Sequence, residues 1–153
     1  IDRITQLTNK TNQFNLTTKR YNISEIQNIS KSESFLKIYG KLSDKYGNNG
    51  LIAVIIGNIK SNKCHIDLFL MSCRILKRGM EFAMLDELIK QCRKKEINEI
   101  IGYYYKTAKN SIVSDLYKEL GFVLVESHDM NSIWKLSIKK YKYKNKIIRI
   151  VNE

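Results

Sequence analysis

Residues 65–105 constrain the fold more than any other part of the chain. They read as an apolar strand (65–71), a basic loop (72–78), a long amphipathic helix (79–95) and a second strand (99–105). A strand–helix–strand unit of this length joins parallel neighbours through a right-handed crossover. In the helix, Met80, Ala83, Met84 and Leu88 share one face, which Phe82, Leu85, Ile89 and Cys92 widen. Glu81, Asp86 and Glu87 come early and Lys90, Arg93, Lys94 and Lys95 late, which complements the helix dipole. The methionines read as core filler.

The rest of the chain is organised around this unit. Residues 34–42 and 51–57 read as strands; the second is almost continuously apolar, as a strand buried on both faces should be. Turns at 44–50 and 58–63 would join them to the strand at 65–71 as an antiparallel meander. Upstream, residues 1–13 read as a polar linker helix with a narrow stripe of Ile4, Leu7 and Thr11, weakly packed. A first strand is expected at 14–20. Asn22 and Glu25 then form a capping-box signature for a short helix. Downstream, Asn110 can cap a helix over 111–120 that Gly121 stops, and strands follow at 122–126 and 133–138. The order β-α-β-β-β-α-β-α-β-β, antiparallel in one part and parallel in another, predicts an α+β domain with a mixed central sheet flanked by helices.

A chain of 153 residues forms one domain with a single substantial core. No apolar run reaches membrane-spanning length, and no stretch reads as a charged-then-apolar leader. Cys64, Cys73 and Cys92 lack metal-ligand spacing, and their odd number points to a reducing cytoplasm. Ile1 is a poor residue to follow a removed initiator Met, so the chain reads as a piece of a longer protein. The net charge of +12 favours an acidic or polyanionic partner, or else reflects a lysine-rich bias. Residues 139–149 mix lysines with Tyr141 and Tyr143. Such a tail can bind single-stranded nucleic acid, but an edge strand kept soluble by lysine is the plainer reading.

The basic loop is the first candidate site. Arg74, Lys77 and Arg78 stand beside a helix N-terminus, whose unpaired N–H groups and partial positive charge attract anions. The alternative is a solvated turn. Arg74, Lys77 and Gly79 fall on the pattern Arg-x-x-Gly-x-Gly, with Lys77 replacing the first glycine. That pattern resembles the pyrophosphate loop of the GNAT acyltransferases, which bind acyl-coenzyme A. The order of elements and Asn110…Tyr117…Leu120-Gly121-Phe122 also look like a GNAT domain. The resemblance implies that Asn110 contacts the cofactor and that Tyr117 is a general acid to the departing thiolate. Met71, Ser72, Arg74, Lys77, Arg78, Gly79 and Asn110 then form the candidate cofactor-binding set.

Three separated stretches resemble FkbH-like proteins more specifically. They are Leu7-Thr8-x-Lys10-Thr11-Asn12-Gln13-Phe14-Asn15-Leu16-Thr17-Thr18, Asp67-x-Phe69-Leu70-Met71-Ser72-Cys73-Arg74 and Thr107-Ala108-Lys109-Asn110. That family joins a HAD-type phosphatase domain to a C-terminal GNAT-like domain. It implies transfer of a three-carbon glyceryl unit from 1,3-bisphosphoglycerate to the phosphopantetheine of an acyl carrier protein, for polyketide-type biosynthesis. This chain matches only the C-terminal part: residues 14–153 as the GNAT-like domain and 1–13 as the link to an upstream HAD domain. No Asp here has an Asp two residues away, so the Asp-x-Asp nucleophile motif is absent. The implied partners are the upstream domain and an acidic carrier protein, with neither membrane nor nucleic acid. The implied cofactor is acyl-CoA or carrier-bound phosphopantetheine, without a metal.

Three residues form the candidate catalytic set: Cys73, Tyr117 and Asp67. A thiol beside Arg74 and a helix N-terminus has more thiolate character and could hold an acyl group, although a lone cysteine is commonly structural. On a period of two, Cys73 would share a face with His65, Asp67, Phe69 and Met71. Asp67 could act as a base or orient a neighbour. His65 reads as a surface residue, and one of Tyr103, Tyr104 and Tyr105 as lining a cleft. That cleft, between the strands at 65–71 and 99–105, would admit the pantetheine arm.

Overall fold

The computed structural model describes residues 2–44, 47–72, 79–146, 148 and 150. The elements run α1 (Asp2–Lys10), α2 (Ile23–Lys31), β1 (Phe35–Asp44), β2 (Gly47–Lys60), β3 (Lys63–Met71), α3 (Met80–Lys94), β4 (Glu99–Tyr105), α4 (Leu116–Glu119), β5 (Val123–His128) and β6 (Asn131–Ser137). The six strands form one sheet in the order β1-β2-β3-β4-β6-β5. β1, β2 and β3 are the antiparallel meander, and β3 meets β4 in parallel through the α3 crossover. The final hairpin folds back so that β6 pairs with β4 and β5 forms the edge.

Local chemistry explains most boundaries. Asn22 caps α2 by accepting from Glu25 N–H at 2.8 Å, and Glu25 reaches back to Asn22 N–H at 3.4 Å, closing the capping box. β2 and β3 are joined by Ser61 and Asn62, both at positive φ (51° and 63°), the conformation that suits a right-twisted hairpin. The turn is tighter than the sequence predicts because both strands extend to Lys60 and Lys63.

The sheet separates two apolar layers. One holds α3 with Phe69, Met71, Ile100, Tyr117 and Leu136; the other holds α1 and α2 with Val54, Ile56, Leu68 and Leu70. Ile4 and Leu7 are buried in the second layer, so α1 is packed more firmly than its narrow stripe predicts.

A β-bulge changes the reading of β3. Ile56 pairs with Leu68 and Gly57 with Ile66, which leaves Asp67 as an extra residue. Beyond it the alternation of faces reverses. Phe69 and Met71 therefore join Cys64 and Ile66 on the α3 side, and the expected shared face of His65, Asp67, Phe69 and Met71 does not form.

Two further expectations fail for local reasons. The helix over 111–120 is instead a 3-10 turn (Ser111–Val113) followed by the single turn of α4. Ser111, Ile112, Val113 and Ser114 are weak helix formers, and the Asn110 side chain makes no cap bond. The basic tail is not an edge strand. It crosses α3 as a strap: Asp86 accepts from Tyr141 Oη at 2.6 Å and from Asn145 N–H at 2.8 Å, while Arg93 donates to the carbonyls of Ile138 and Tyr141. Lys90 and Arg93 lie over the Tyr143 ring at 5.4 and 5.0 Å.

Candidate active site

β3 and β4 are paired only at Lys63–Glu99, Cys64–Ile100 and His65–Ile101; past that point they diverge. The expected first strand lies in the gap. Residues 14–20 form no strand, but Asn15 makes an isolated antiparallel bridge to Leu70. Leu16 N–H donates to the Phe69 carbonyl at 3.1 Å, Met71 N–H to the Phe14 carbonyl at 3.0 Å, and Tyr105 N–H to the Leu16 carbonyl at 2.8 Å. Thr17 Oγ1 adds a bond to the Asp67 carbonyl at 2.7 Å. Phe14 and Leu16 are buried in the α3-side layer, which contributes about 1.5–3 kcal/mol each. At Phe69, Met71 and Tyr105 the cleft expected to admit a pantetheine arm is thus occupied by the chain itself.

Asn110 fastens this insert. It is fully buried. Its Nδ2 donates to the carbonyls of Asn15 and Tyr105 at 3.0 and 2.9 Å, and its Oδ1 accepts from Thr107 N–H at 2.7 Å and Tyr104 Oη at 3.3 Å. All its hydrogen-bonding positions are used inside the protein. Met71 N–H is likewise taken by Phe14, and Ser72 N–H donates to the Ile52 carbonyl at 2.7 Å. Gly79 stands just before α3 with φ 82°, a left-handed conformation that glycine adopts without steric cost. Cys73, Arg74, Lys77 and Arg78 lie outside the described residues.

Tyr117 is buried on the α3 side of the sheet. Its hydroxyl donates to the Tyr103 carbonyl at 3.1 Å, and burial pushes its pKa up. Its ring lies against Gly102, where an added Cβ would come within 2.5 Å of it. Gly102 is needed there because no side chain fits beneath the ring.

An open cavity of about 270 Å³ lies where the insert enters the gap. Thr17, Lys19, Lys60, His65, Asp67, Tyr103 and Tyr105 line it, and Tyr117 does not. Asp67 faces Lys19 at 3.7 Å. His65 Nδ1 and Tyr103 Oη are 2.7 Å apart with their rings stacked. Burial lowers the His65 pKa, Lys60 lowers it further, and Asp67 opposes the shift. Burial raises the Tyr103 pKa, with Tyr105 and Asp67 adding to it. At neutral pH the pair is therefore an uncharged imidazole and an uncharged phenol. Two tautomers satisfy this contact: if Nδ1–H donates to Tyr103, Nε2 is an acceptor able to take a proton from a thiol or amine, and if Tyr103 Oη–H donates to Nδ1, Nε2–H is a donor.

His65 is the functional candidate that sequence reasoning passed over. Its partner lies 38 residues away and is brought to it by the parallel register of β3 and β4. The only sequence signal was the run of three tyrosines. If neutral His65 is the base, the rate should stay level from pH 8 down through the ordinary histidine pKa of about 6.5 and fall only below it. His65→Gln should lower the plateau by about 10²–10⁴-fold and remove that acid limb. A pH–rate profile for both proteins checks this; an unchanged limb in the variant would assign it to another group.

No family model matches the sequence, and no curated protein matches it. Solved structures match the fold. The ribosomal-protein-S18-alanine N-acetyltransferase from Escherichia coli is 16% identical, with 90% of this chain and 86% of that chain covered and a TM-score of 0.65. The GNAT domain of S. lividans PAT is 11% identical over 89% of this chain and 84% of that one, with a TM-score of 0.68. A PaiA N-acetyltransferase from Thermoplasma acidophilum, in complex with coenzyme A, is 22% identical over 75% and 68%, with a TM-score of 0.60. The chain has the GNAT acyltransferase fold, an α+β domain with a mixed six-stranded sheet.

One of these proteins is in complex with coenzyme A. Between β3 and β4 of this chain, residues 14–17 are bonded to the Phe69 carbonyl and to the N–H groups of Met71 and Tyr105. Among the described residues, no cluster of His, Cys, Asp and Glu could hold a metal ion. Among them too, no helix is long and apolar enough to cross a membrane.

Proposed function

We propose that this chain is an acyltransferase domain, the C-terminal GNAT-like part of an FkbH-like protein. It would assist transfer of a three-carbon glyceryl unit to the phosphopantetheine thiol of an acyl carrier protein. One observation supports this above all. The three stretches that resemble FkbH-like proteins lie far apart in sequence yet meet at one junction. Phe14 and Leu16 pair with Phe69 and Met71, Thr17 bonds Asp67, and Asn110 holds Asn15. A surface likeness would not require that convergence.

In this reading His65 and Tyr103 hold and move the proton of the acceptor, Asp67 and Lys19 orient it, and Cys73 is the candidate thioester carrier. Arg74, Lys77 and Arg78 would hold the phosphodiester of the carrier through charge-assisted hydrogen bonds. A chain of net charge +12 should attract an acidic carrier over long range, speeding encounter more than tightening the complex. The Debye length is about 8 Å at physiological salt, so stopped-flow association with holo carrier should slow steeply as salt rises. Mass spectrometry of the carrier should show a glyceryl gain when an HAD-type phosphatase domain and 1,3-bisphosphoglycerate are supplied. Salt-insensitive association would remove the steering, and no mass gain would remove the glyceryl assignment.

A second reading, an acetyl-CoA-dependent N-acetyltransferase, is favoured by the N-acetyltransferases that share the fold and weakened by the filled gap. Turnover of acetyl-CoA with amine acceptors would establish it. Carrier binding that survives replacement of every cleft residue, by a domain that shows no turnover even with those residues intact, would instead mark a docking module.

A further inference from the structure

We infer that residues 14–17 are a fixed insert that takes the place of a pantetheine arm between β3 and β4, so that this domain does not grip free coenzyme A there. The choice of ligand rests on the acyl-transfer reading above, whereas the insert is a property of the fold. Diverging strands expose N–H and C=O groups to which an extended chain can pair, and a pantetheine arm with its two amides is such a chain. In this protein the Phe69 carbonyl and the N–H groups of Met71 and Tyr105 are already bonded to Leu16, Phe14 and Leu16 in turn.

The insert is not built like a displaceable plug. Phe14, Asn15, Leu16 and Thr17 are 4%, 0%, 0% and 5% exposed. The Asn15 amide ties the insert to its own flanks, donating to the Thr11 carbonyl at 3.2 Å and accepting from Thr18 N–H at 2.9 Å. Asn110 holds it from beyond the end of β4. An arm entering the gap would break these bonds and expose Phe14 and Leu16 together. An acyl thioester would therefore meet the His65–Tyr103 pair from outside the sheet, through the open cavity.

Hydrogen exchange of the full chain, read at the amides of Leu16, Met71 and Tyr105, tests this. Without ligand these amides should exchange at least about 10³-fold more slowly than an unstructured chain. About 1 mM coenzyme A, or holo carrier protein, should change that protection less than twofold. Exchange as fast as that of loop amides would overturn the inference. So would a tenfold or larger loss of protection with coenzyme A or holo carrier that apo carrier does not produce. Coenzyme A binding that leaves the three amides protected upholds it, and places the nucleotide elsewhere. The glyceryl-transfer reading fails by a separate sign, the absence of a mass gain on the carrier, whatever these amides do.

Discussion

Asn110→Ala should lower the stability of this domain by about 3–5 kcal/mol. The substitution leaves the Asn15 and Tyr105 carbonyls, the Thr107 N–H and the Tyr104 hydroxyl without their shared partner. A buried polar group left unsatisfied costs roughly 1–3 kcal/mol, and some of the four will find other partners. At about 2–4 °C per kcal/mol for a chain of this size, the melting temperature should fall by about 6–20 °C. Asn110→Asp separates the possible roles. A helix cap tolerates Asp in place of Asn. Here Asp removes the donor to two carbonyls and sets a carboxylate against them, so it should be as damaging as Ala. Thermal unfolding of both variants checks this. If both fold normally and lose only ligand affinity, Asn110 is a cofactor contact of the kind the GNAT resemblance implies.

Asp86→Ala should be comparably severe and should release the C-terminal strap. Asp86 is buried in α3 and accepts from the Tyr141 hydroxyl, Lys144 N–H and Asn145 N–H. Hydrogen bonds to a charged acceptor contribute about 1.5–3 kcal/mol each. Three donors lose one acceptor, and the expected loss is about 3–5 kcal/mol, or about 6–20 °C. Lys139, Lys140, Lys142, Lys144 and Lys146 would then open to trypsin. Asp86→Asn keeps one acceptor oxygen and should lose about half as much. Limited proteolysis alongside thermal unfolding decides the matter. A destabilised variant whose strap stays resistant would show that the Tyr143 stacking with Lys90 and Arg93, not Asp86, holds the tail.

The two residues differ in how far they were legible. Asp86 lies in the acidic early part of α3 and reads as one of the residues that complement the helix dipole. Nothing local marks it as the buried anchor of a segment nearly 60 residues away. Asn110 was marked by its neighbours in sequence, but as a cap or cofactor contact. Its role in fastening residues 14–17 depends on a loop closing over 95 residues.

Short-range chemistry determined the elements. The apolar run of β2, the 3.6-residue stripe of α3, the Asn22–Glu25 capping box and the crossover from β3 to β4 follow from side-chain periodicity and backbone geometry, and each is present as the sequence predicts. With them came the α+β mixed sheet. The tertiary structure alone decided what fills the gap between β3 and β4, which face β3 presents after Asp67, and that His65 meets Tyr103. The physical reason is common to all three. A bulge shifts parity by one residue, an insert borrows hydrogen bonds from strands 50 to 90 positions away, and a parallel register pairs residues that no local pattern relates. Such contacts are set by the competition to bury apolar surface and satisfy backbone groups across the whole chain, and no window of the sequence contains both partners.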